Sequence, residues 1–491
     1  MEYDIVIKGG RVVDGLGTPA VNADVAIKGD RIAAVGDGAQ WQGRRMIDAT
    51  GKIVSPGFID CHTHDDRVLL SDPLMRPKVS QGVTTVVTGN CGISLAPVAM
   101  PGHTVPPPLN LIARTAKDVF RTMRDYVKAL SDSPASVNSA ALVGHSSLRV
   151  SVMDRLDRPA GKPEVESMRR ALDAALEHGA VGLSTGLFYP TAVHSTTEEV
   201  IGIAAPLKRW DGVYTTHLRD EGTHVCDAME EAFAIGRAAD VPAILSHHKV
   251  LGRANHGRSV ETLALYDKAR ASQPLCMDVY PYAASSTVLD VQRMGDCERV
   301  LITWSKTRPE AGGQDLFELA KKEGKTPQAL ANELQPAGAI YFAMDEEDVK
   351  RIIAHDHVMI GSDGLPHDTK PHPRLWGAFS RVLGRYSRDM KLYGLEEAVR
   401  RMTSLTAAQF GLQDRGVVKA GCFADLVVFD PDTILDAATF TDPIKPSIGI
   451  DCVLVNGAVV ERDGAATGER PGRFLGRESR CAPGLSLPAW A

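Results

Sequence analysis

The chain has 491 residues, with 55 Lys and Arg against 61 Asp and Glu, for a formal charge of −6. Hydrophobic residues at 44% and charged residues at 24% exclude a disordered or collagen-like chain, and the mildly acidic balance leaves no basic footprint for nucleic acid. Eight cysteines (Cys61, Cys91, Cys226, Cys276, Cys297, Cys422, Cys452 and Cys481) are too sparse for a disulfide scaffold and form no CxxC pair, so a reducing cytoplasm is the expected home.

Met1-Glu2-Tyr3-Asp4 is acidic and enters an alternating strand at once, without the basic and apolar regions of a signal peptide. No run of about 18 apolar residues predicts a membrane span. The first 57 residues predict hairpins: 4–7 and 11–13 flank Gly9-Gly10, and 24–27 and 31–35 flank Lys28-Gly29-Asp30. Eight short apolar runs follow, at 57–60, 84–87, 140–143, 180–183, 213–216, 243–246, 275–279 and 358–361. Helical patterns such as 165–176 and 227–235 fill the gaps. Eight βα units predict an α/β fold, a (β/α)8 barrel over 58–413, rather than an open doubly wound sheet. The gap after the seventh run is longer than a barrel helix needs, so 284–341 is expected to be an inserted subdomain over the barrel mouth. Strand texture returns at 424–429, and 453–455 meets 458–460 across Asn456-Gly457. Two small β segments at opposite ends cannot each bury a core. Residues 1–57 and 414–479 are therefore expected to form one small β-sandwich domain, with 480–491 a tail.

Barrel active sites form at the C-terminal ends of the strands, and each run is read there. The first ends in Asp60-Cys61-His62-Thr63-His64, where two His at i and i+2 on extended backbone point the same way; a surface pair beside Asp65 and Asp66 gives the same pattern. The second ends in Gly89-Asn90-Cys91-Gly92, a buried small hydrophobe or a thiolate ligand. The fifth ends in Thr216-His217-Leu218-Arg219, the sixth in Ser246-His247-His248-Lys249 and the eighth in Gly361-Ser362-Asp363-Gly364. A lone histidine there is as ordinary as a core residue, and a lone aspartate as a turn. Their common position at one end of strands 1, 2, 5, 6 and 8 is the argument. Imidazoles with a thiolate suit zinc, and zinc with a nearby carboxylate suits hydrolysis.

The segment Pro56-Gly57-Phe58-Ile59-Asp60-Cys61-His62-Thr63-His64 resembles the opening motif of the amidohydrolase superfamily. With Gly89-Asn90-Cys91-Gly92, Ser246-His247-His248-Lys249 and Gly361-Ser362-Asp363-Gly364, the chain is similar to the N-acyl-D-amino-acid deacylases (D-aminoacylases). The likeness runs over nearly the whole chain, including Asp414-Arg415-Gly416 and Phe423-Ala424-Asp425-Leu426-Val427. Many ring-opening amidohydrolases carry a carboxylated lysine after strand 4. Here Gly182-Leu183-Ser184-Thr185-Gly186 has none, which argues against a hydantoinase or dihydroorotase.

The resemblance implies that Cys91, His217 and His247 hold a tight zinc. It places His62 and His64 at a weaker second site, with Cys91 and Asp363 near both, and makes Asp363 the general base and then the acid. His248 is left as packing. An N-acyl amino acid carries an α-carboxylate, for which Lys249, Tyr280 and Arg293 are the candidate binders, Arg299 is a further candidate, and Tyr189 is a pocket residue. For the arginines, solvated surface charge is the competing reading, and for Tyr189 an ordinary barrel-rim aromatic. The implied reaction is hydrolysis of N-acyl-D-amino acids to a carboxylate and a free D-amino acid, the D preference resting on the resemblance alone. An acidic side chain such as D-glutamate is a candidate, and a neutral one stays open. Two alternatives are another amidohydrolase acting on dipeptides or cyclic amides, and a non-catalytic scaffold of the same fold. No feature indicates the oligomeric state.

Overall fold

The computed structural model describes residues 2–100 and 105–476. Seven strands lead in: β1 (Glu2–Lys8), β2 (Arg11–Val12), β3 (Val21–Asn22), β4 (Asp24–Lys28), β5 (Arg31–Gly36), β6 (Gln42–Asp48) and β7 (Ile53–Pro56). The barrel strands are β8 (Phe58–Asp60), β9 (Val83–Thr88), β10 (Asn138–Gly144), β11 (Gly182–Gly186), β12 (Val213–His217), β13 (Ala243–Leu245) and β14 (Leu275–Val279). Three strands interrupt, β15 (Ser285–Val288), β16 (Arg299–Ser305) and β17 (Ala337–Phe342), before the eighth barrel strand, β18 (Val358–Ile360). The chain closes with β19 (Leu426–Phe429), β20 (Ile450–Val455), β21 (Ala458–Arg462) and β22 (Ala465–Ala466).

The eight barrel strands are all parallel, in the order β18-β14-β13-β12-β11-β10-β9-β8. Every residue of these strands is buried, which is why they read as apolar or β-branched runs rather than as an alternation. Helices cover them. In Lys162–Glu177 the buried side chains are Met168, Leu172, Ala175 and Leu176, on one face at helical spacing. The ring closes between β18 and β8 just past the strand ends, where the Asp363 amide donates to the His62 carbonyl at 2.7 Å and the His64 amide to the Gly364 carbonyl at 3.1 Å. The fourth run begins two residues later than expected. Gly179 at φ +95° and Ala180, whose amide returns to the Ala175 carbonyl, still belong to the turn that ends the preceding helix.

Strands from both chain ends build two packed sheets, β5-β4-β1-β6 and β22-β21-β20-β19-β7-β2-β3. Ile5, Ile7, Val12, Ile27, Val54, Leu426 and Leu454 fill the space between them. The hairpin expected across Gly9-Gly10 does not form. β1 pairs with β4 and β6, whereas β2 pairs with β3 and β7 in the other sheet. The glycines carry the chain from one layer to the other through a tight passage, where a Cβ on Gly10 would stand 2.7 Å from Val54 and 3.1 Å from Ala49. The Asn456-Gly457 hairpin does form, with φ +47° and +78° as a two-residue turn requires. Between β14 and β18, β15, β17 and β16 form a sheet with its own core, in which Val300, Ile302 and Ala339 meet Leu316, Leu330 and Leu334. Among the described residues no helix is long and apolar enough to cross a membrane. The expected tail, 480–491, lies outside the described residues.

Candidate active site

The segment just past β8 delivers His62 and His64, with ring centroids 5.8 Å apart. Cys91 follows β9 at φ +52°, between Gly89 at +77° and Gly92 at +76°. A Cβ on Gly89 would strike the Leu142 carbonyl oxygen at 2.1 Å, so the loop around the thiol is open only to glycine. His217 is the last residue of β12, and His247 follows β13 at φ +37°. Asp363 follows β18 at φ +46°. Three of these side chains therefore stand on left-handed backbone, a strain that local sequence does not favour and that packing must impose.

The side chains converge. His62 Nε2 is 3.2 Å from Cys91 Sγ and 3.6 Å from Asp363 Oδ1. Cys91 Sγ is 3.3 Å from His247 Nε2, and His64 Nε2 is 3.2 Å from Asp363 Oδ1. The ligand atoms of His62, His64, Cys91 and Asp363 lie within 4.8 Å of one another, and so do those of Cys91, His217 and His247. Both ring nitrogens of buried His217 lack a hydrogen-bond partner. Buried polar atoms are rarely left so. Orphaned imidazole nitrogens aimed at a thiol, with a carboxylate beside them, fit a metal ion, and sulfur with imidazole fits zinc better than a hard cation. Burial pushes the Cys91 thiol up, but His62 and His247 outweigh it and hold the group well below the usual thiol range. Burial likewise raises the Asp363 carboxyl, and Arg374 and His247 overcome it, holding the group well below the usual carboxylate range.

Around the centre, Lys249, Tyr189 and Arg293 line one small cavity with His64, His217, His247 and Asp363. Lys249 Nζ is 2.6 Å from Glu221 Oε1 and 2.7 Å from His247 Nδ1, and Arg293 Nη2 is 3.8 Å from Glu221 Oε2. The Arg293 guanidinium lies 4.0 Å over the Phe188 ring. Tyr189 Oη lies 3.2 Å from Thr287 Oγ1 of β15. Tyr280 is buried beneath the Arg374 guanidinium, 4.4 Å from its ring centroid. His248 packs away from the centre, with Nε2 3.0 Å from Thr262 Oγ1. Arg299 is not brought to the site. It is half exposed and pairs with Asp315 at 3.1 Å, because it begins β16 on the outer side of the inserted sheet.

Three residues here escaped the sequence reading. Asp278, in β14, stands 3.3 Å from His62 Nδ1, so it orients that imidazole, and accepts from the His247 backbone amide at 2.9 Å, so it holds the turn that presents His247. A charge inside an apolar run was its signal. Glu221 faces His217, His247, Lys249 and Arg293 together. Arg374 is fully buried with Nη1 2.9 Å from Asp363 Oδ2 and Nη2 donating to the Ser286 carbonyl at 3.0 Å, while its Nε has no partner. Nothing in His372-Pro373-Arg374 marks it locally.

The amidohydrolase family profile matches residues 45–256 and 291–461. A D-aminoacylase of Alcaligenes xylosoxydans xylosoxydans is 53% identical over 97% of this chain and 98% of its own length. The chain belongs to the N-acyl-D-amino-acid deacylases of the amidohydrolase family. It is a metal-dependent enzyme of that family. Two further deacylases of the same organism, named for N-acyl-D-aspartate and N-acyl-D-glutamate, are 50% and 48% identical over 99% and 98% of this chain, and 96% and 98% of their own. Of solved deacylases, the crystal structure of D-aminoacylase superposes with a TM-score of 0.94 at 54% identity over 97% of this chain and all of that one. The N-acyl-D-glutamate deacylase of Bordetella bronchiseptica, complexed with zinc and a phosphonate mimic of the tetrahedral intermediate, gives 0.94 at 46% identity over the same shares.

Proposed function

We propose that this deacylase hydrolyses N-acyl-D-amino acids to a carboxylate and a free D-amino acid, with zinc held by Cys91, His217 and His247. A second, weaker zinc position is proposed at His62 and His64, with Cys91 and Asp363 common to its surroundings. The observation that carries this reading is Asp363, poised between two imidazoles on one oxygen and Arg374 on the other. When bound, zinc supplies Lewis acidity toward the amide carbonyl and the attacking water. Asp363, kept ionised, takes a proton from that water as its oxygen bonds to the carbonyl carbon. It then gives the proton to the nitrogen as the C–N bond breaks, so that the amine leaves neutral.

The substrate α-carboxylate is assigned to Arg374 over Tyr280, with Lys249 adding positive charge nearby. An arginine fork suits a carboxylate bidentately, and Arg374 keeps an unpartnered Nε. Lys249 and Arg293 already face Glu221. A second substrate carboxylate would have to compete with Glu221 for them, so charge balance favours a neutral D side chain over an acidic one. Strand β15 adds Ser285, Ser286 and Thr287 to the cavity wall, which supports a roofing role for 284–341. Unpaired cysteines throughout the described residues suit a reducing cytoplasm.

The test is a panel of N-acetyl D- and L-amino acids with neutral and acidic side chains, scored for free amine with the zinc-loaded protein. Turnover of neutral D substrates, with L enantiomers inert, is expected. Equal turnover of both enantiomers, or of neither, overturns the proposal. Faster turnover of N-acetyl-D-glutamate overturns the side-chain assignment alone.

A further inference from the structure

We propose that Lys78, acting through Ser362, is a positioning residue that holds Asp363 in its working geometry; the inference rests on Asp363 being the base. No regular ladder joins β18 to β8, so the barrel closes at this seam through a few specific contacts. Lys78, in the short helix Arg76–Val79, is fully buried beneath it. Its ammonium donates to Asp60 Oδ2 at 2.7 Å, Ser362 Oγ at 2.7 Å and Thr63 Oγ1 at 3.0 Å, and Asp65 Oδ2 lies 3.3 Å away. All three ammonium protons are thus engaged, and the charge offsets two buried carboxylates that would otherwise be costly.

Ser362 is the node. Its hydroxyl donates to Asp60 Oδ2 at 2.6 Å while accepting from Lys78 and from the Gly364 amide at 3.1 Å. Its own amide donates to Asp60 Oδ1 at 2.9 Å. The residues on both sides of Asp363 are therefore tied to β8, and the Asp363 amide itself donates to the His62 carbonyl. Asp363 stands at a left-handed φ of +46°, a conformation open to aspartate in a loose turn, and here the network fixes it in one place. Lys78, Asp60 and Ser362 do not line the cavity. They act on the reaction only through where they hold Asp363.

Ser362→Ala removes the node yet keeps the Lys78–Asp60 ion pair, so the barrel seam retains its charge balance. Asp363→Asn and Lys78→Met are measured beside it, all zinc-loaded, for zinc content, kcat and KM. Expected for Ser362→Ala are unchanged zinc content and KM, with kcat lower by about 10²-fold, the scale of a small misplacement of a reacting group. Lys78→Met, where it folds, should show the same split. Substantial activity in Asp363→Asn overturns the base assignment. An inactive Asp363→Asn alongside wild-type kcat in Ser362→Ala overturns the positioning role. Loss of zinc or a rise in KM in Ser362→Ala also overturns it, since the effect would then be general disorder of the site.

Discussion

At Cys91 two requirements meet: a backbone that turns left between glycines, and a thiol whose charged form is favoured by two imidazoles. Both serve one sulfur that stands in reach of His62, His217 and His247. Cys91→Ala should therefore lose bound zinc, read by atomic absorption, and lower kcat by more than the roughly 10–100-fold typical of an outer-shell partner. Arg374 makes a different demand. A charge-assisted hydrogen bond contributes about 1.5–3 kcal/mol, so Arg374→Gln should raise KM for N-acetyl-D-amino acids about 10- to 100-fold in steady-state assays. Arg299→Gln, by contrast, should leave kcat and KM unchanged in the same assay, since the half-exposed Arg299 faces Asp315 rather than substrate.

Among elements, the loop after β11 that carries Phe188 and Tyr189 is held by a buried joint. Arg149, in the helix His145–Val152 after β10, donates to the Thr191 carbonyl at 2.7 Å and pairs with Glu199 in the helix Thr197–Ala204. His145 Nε2 lies 3.1 Å from the same carboxylate. Burial pushes the Glu199 carboxyl up, but His145 and Arg149 bring it down to about 2. A folded-state value below the ordinary 4.5 means that its stabilisation is complete above about pH 4.5 and is lost as pH falls toward 2. Thermal melts of wild type should lose more between pH 7 and pH 3.5 than melts of Glu199→Gln; equal losses would show that the joint does not titrate this way. Elements also show where local reasoning stops. The Asn456-Gly457 hairpin formed because the turn itself dictates it. Gly9-Gly10 offered the same flexibility, but the apolar residues on either side, Ile7 and Val12, belong to opposing sheets of one core.

For the whole molecule, the site draws buried donors from five strand ends around the barrel, so an ion held there and the ring would support each other. Removing metal with a chelator leaves the buried His217 imidazole without a partner on either nitrogen. The apo protein should melt at a lower temperature by calorimetry, and added zinc should restore it, by up to about 4 kcal/mol at a thousandfold excess over Kd. An unchanged melt on chelation would mean that these residues hold no ion. The barrel was readable because each strand is buried on both faces and so leaves a short apolar run; the common position of His62, His64, Cys91, His217, His247 and Asp363 at the strand ends likewise anticipated that their side chains converge.

What the amino-acid order determined unaided was the alternation of runs and helices, the gathering of His, Cys and Asp at the strand ends, and the hairpins across Gly29-Asp30 and Asn456-Gly457, whose turn residues dictate them. Asp278, Glu221 and Arg374 became meaningful only in three dimensions. Asp278 acts on His62 across 216 residues of sequence, and no local pattern records such a distance. The left-handed backbones of Cys91, His247 and Asp363 belong to the tertiary structure as well, since packing imposes them against local preference. So does the pairing of charges around the site, where Arg374 is buried against Asp363 while Glu221 faces Lys249 and Arg293.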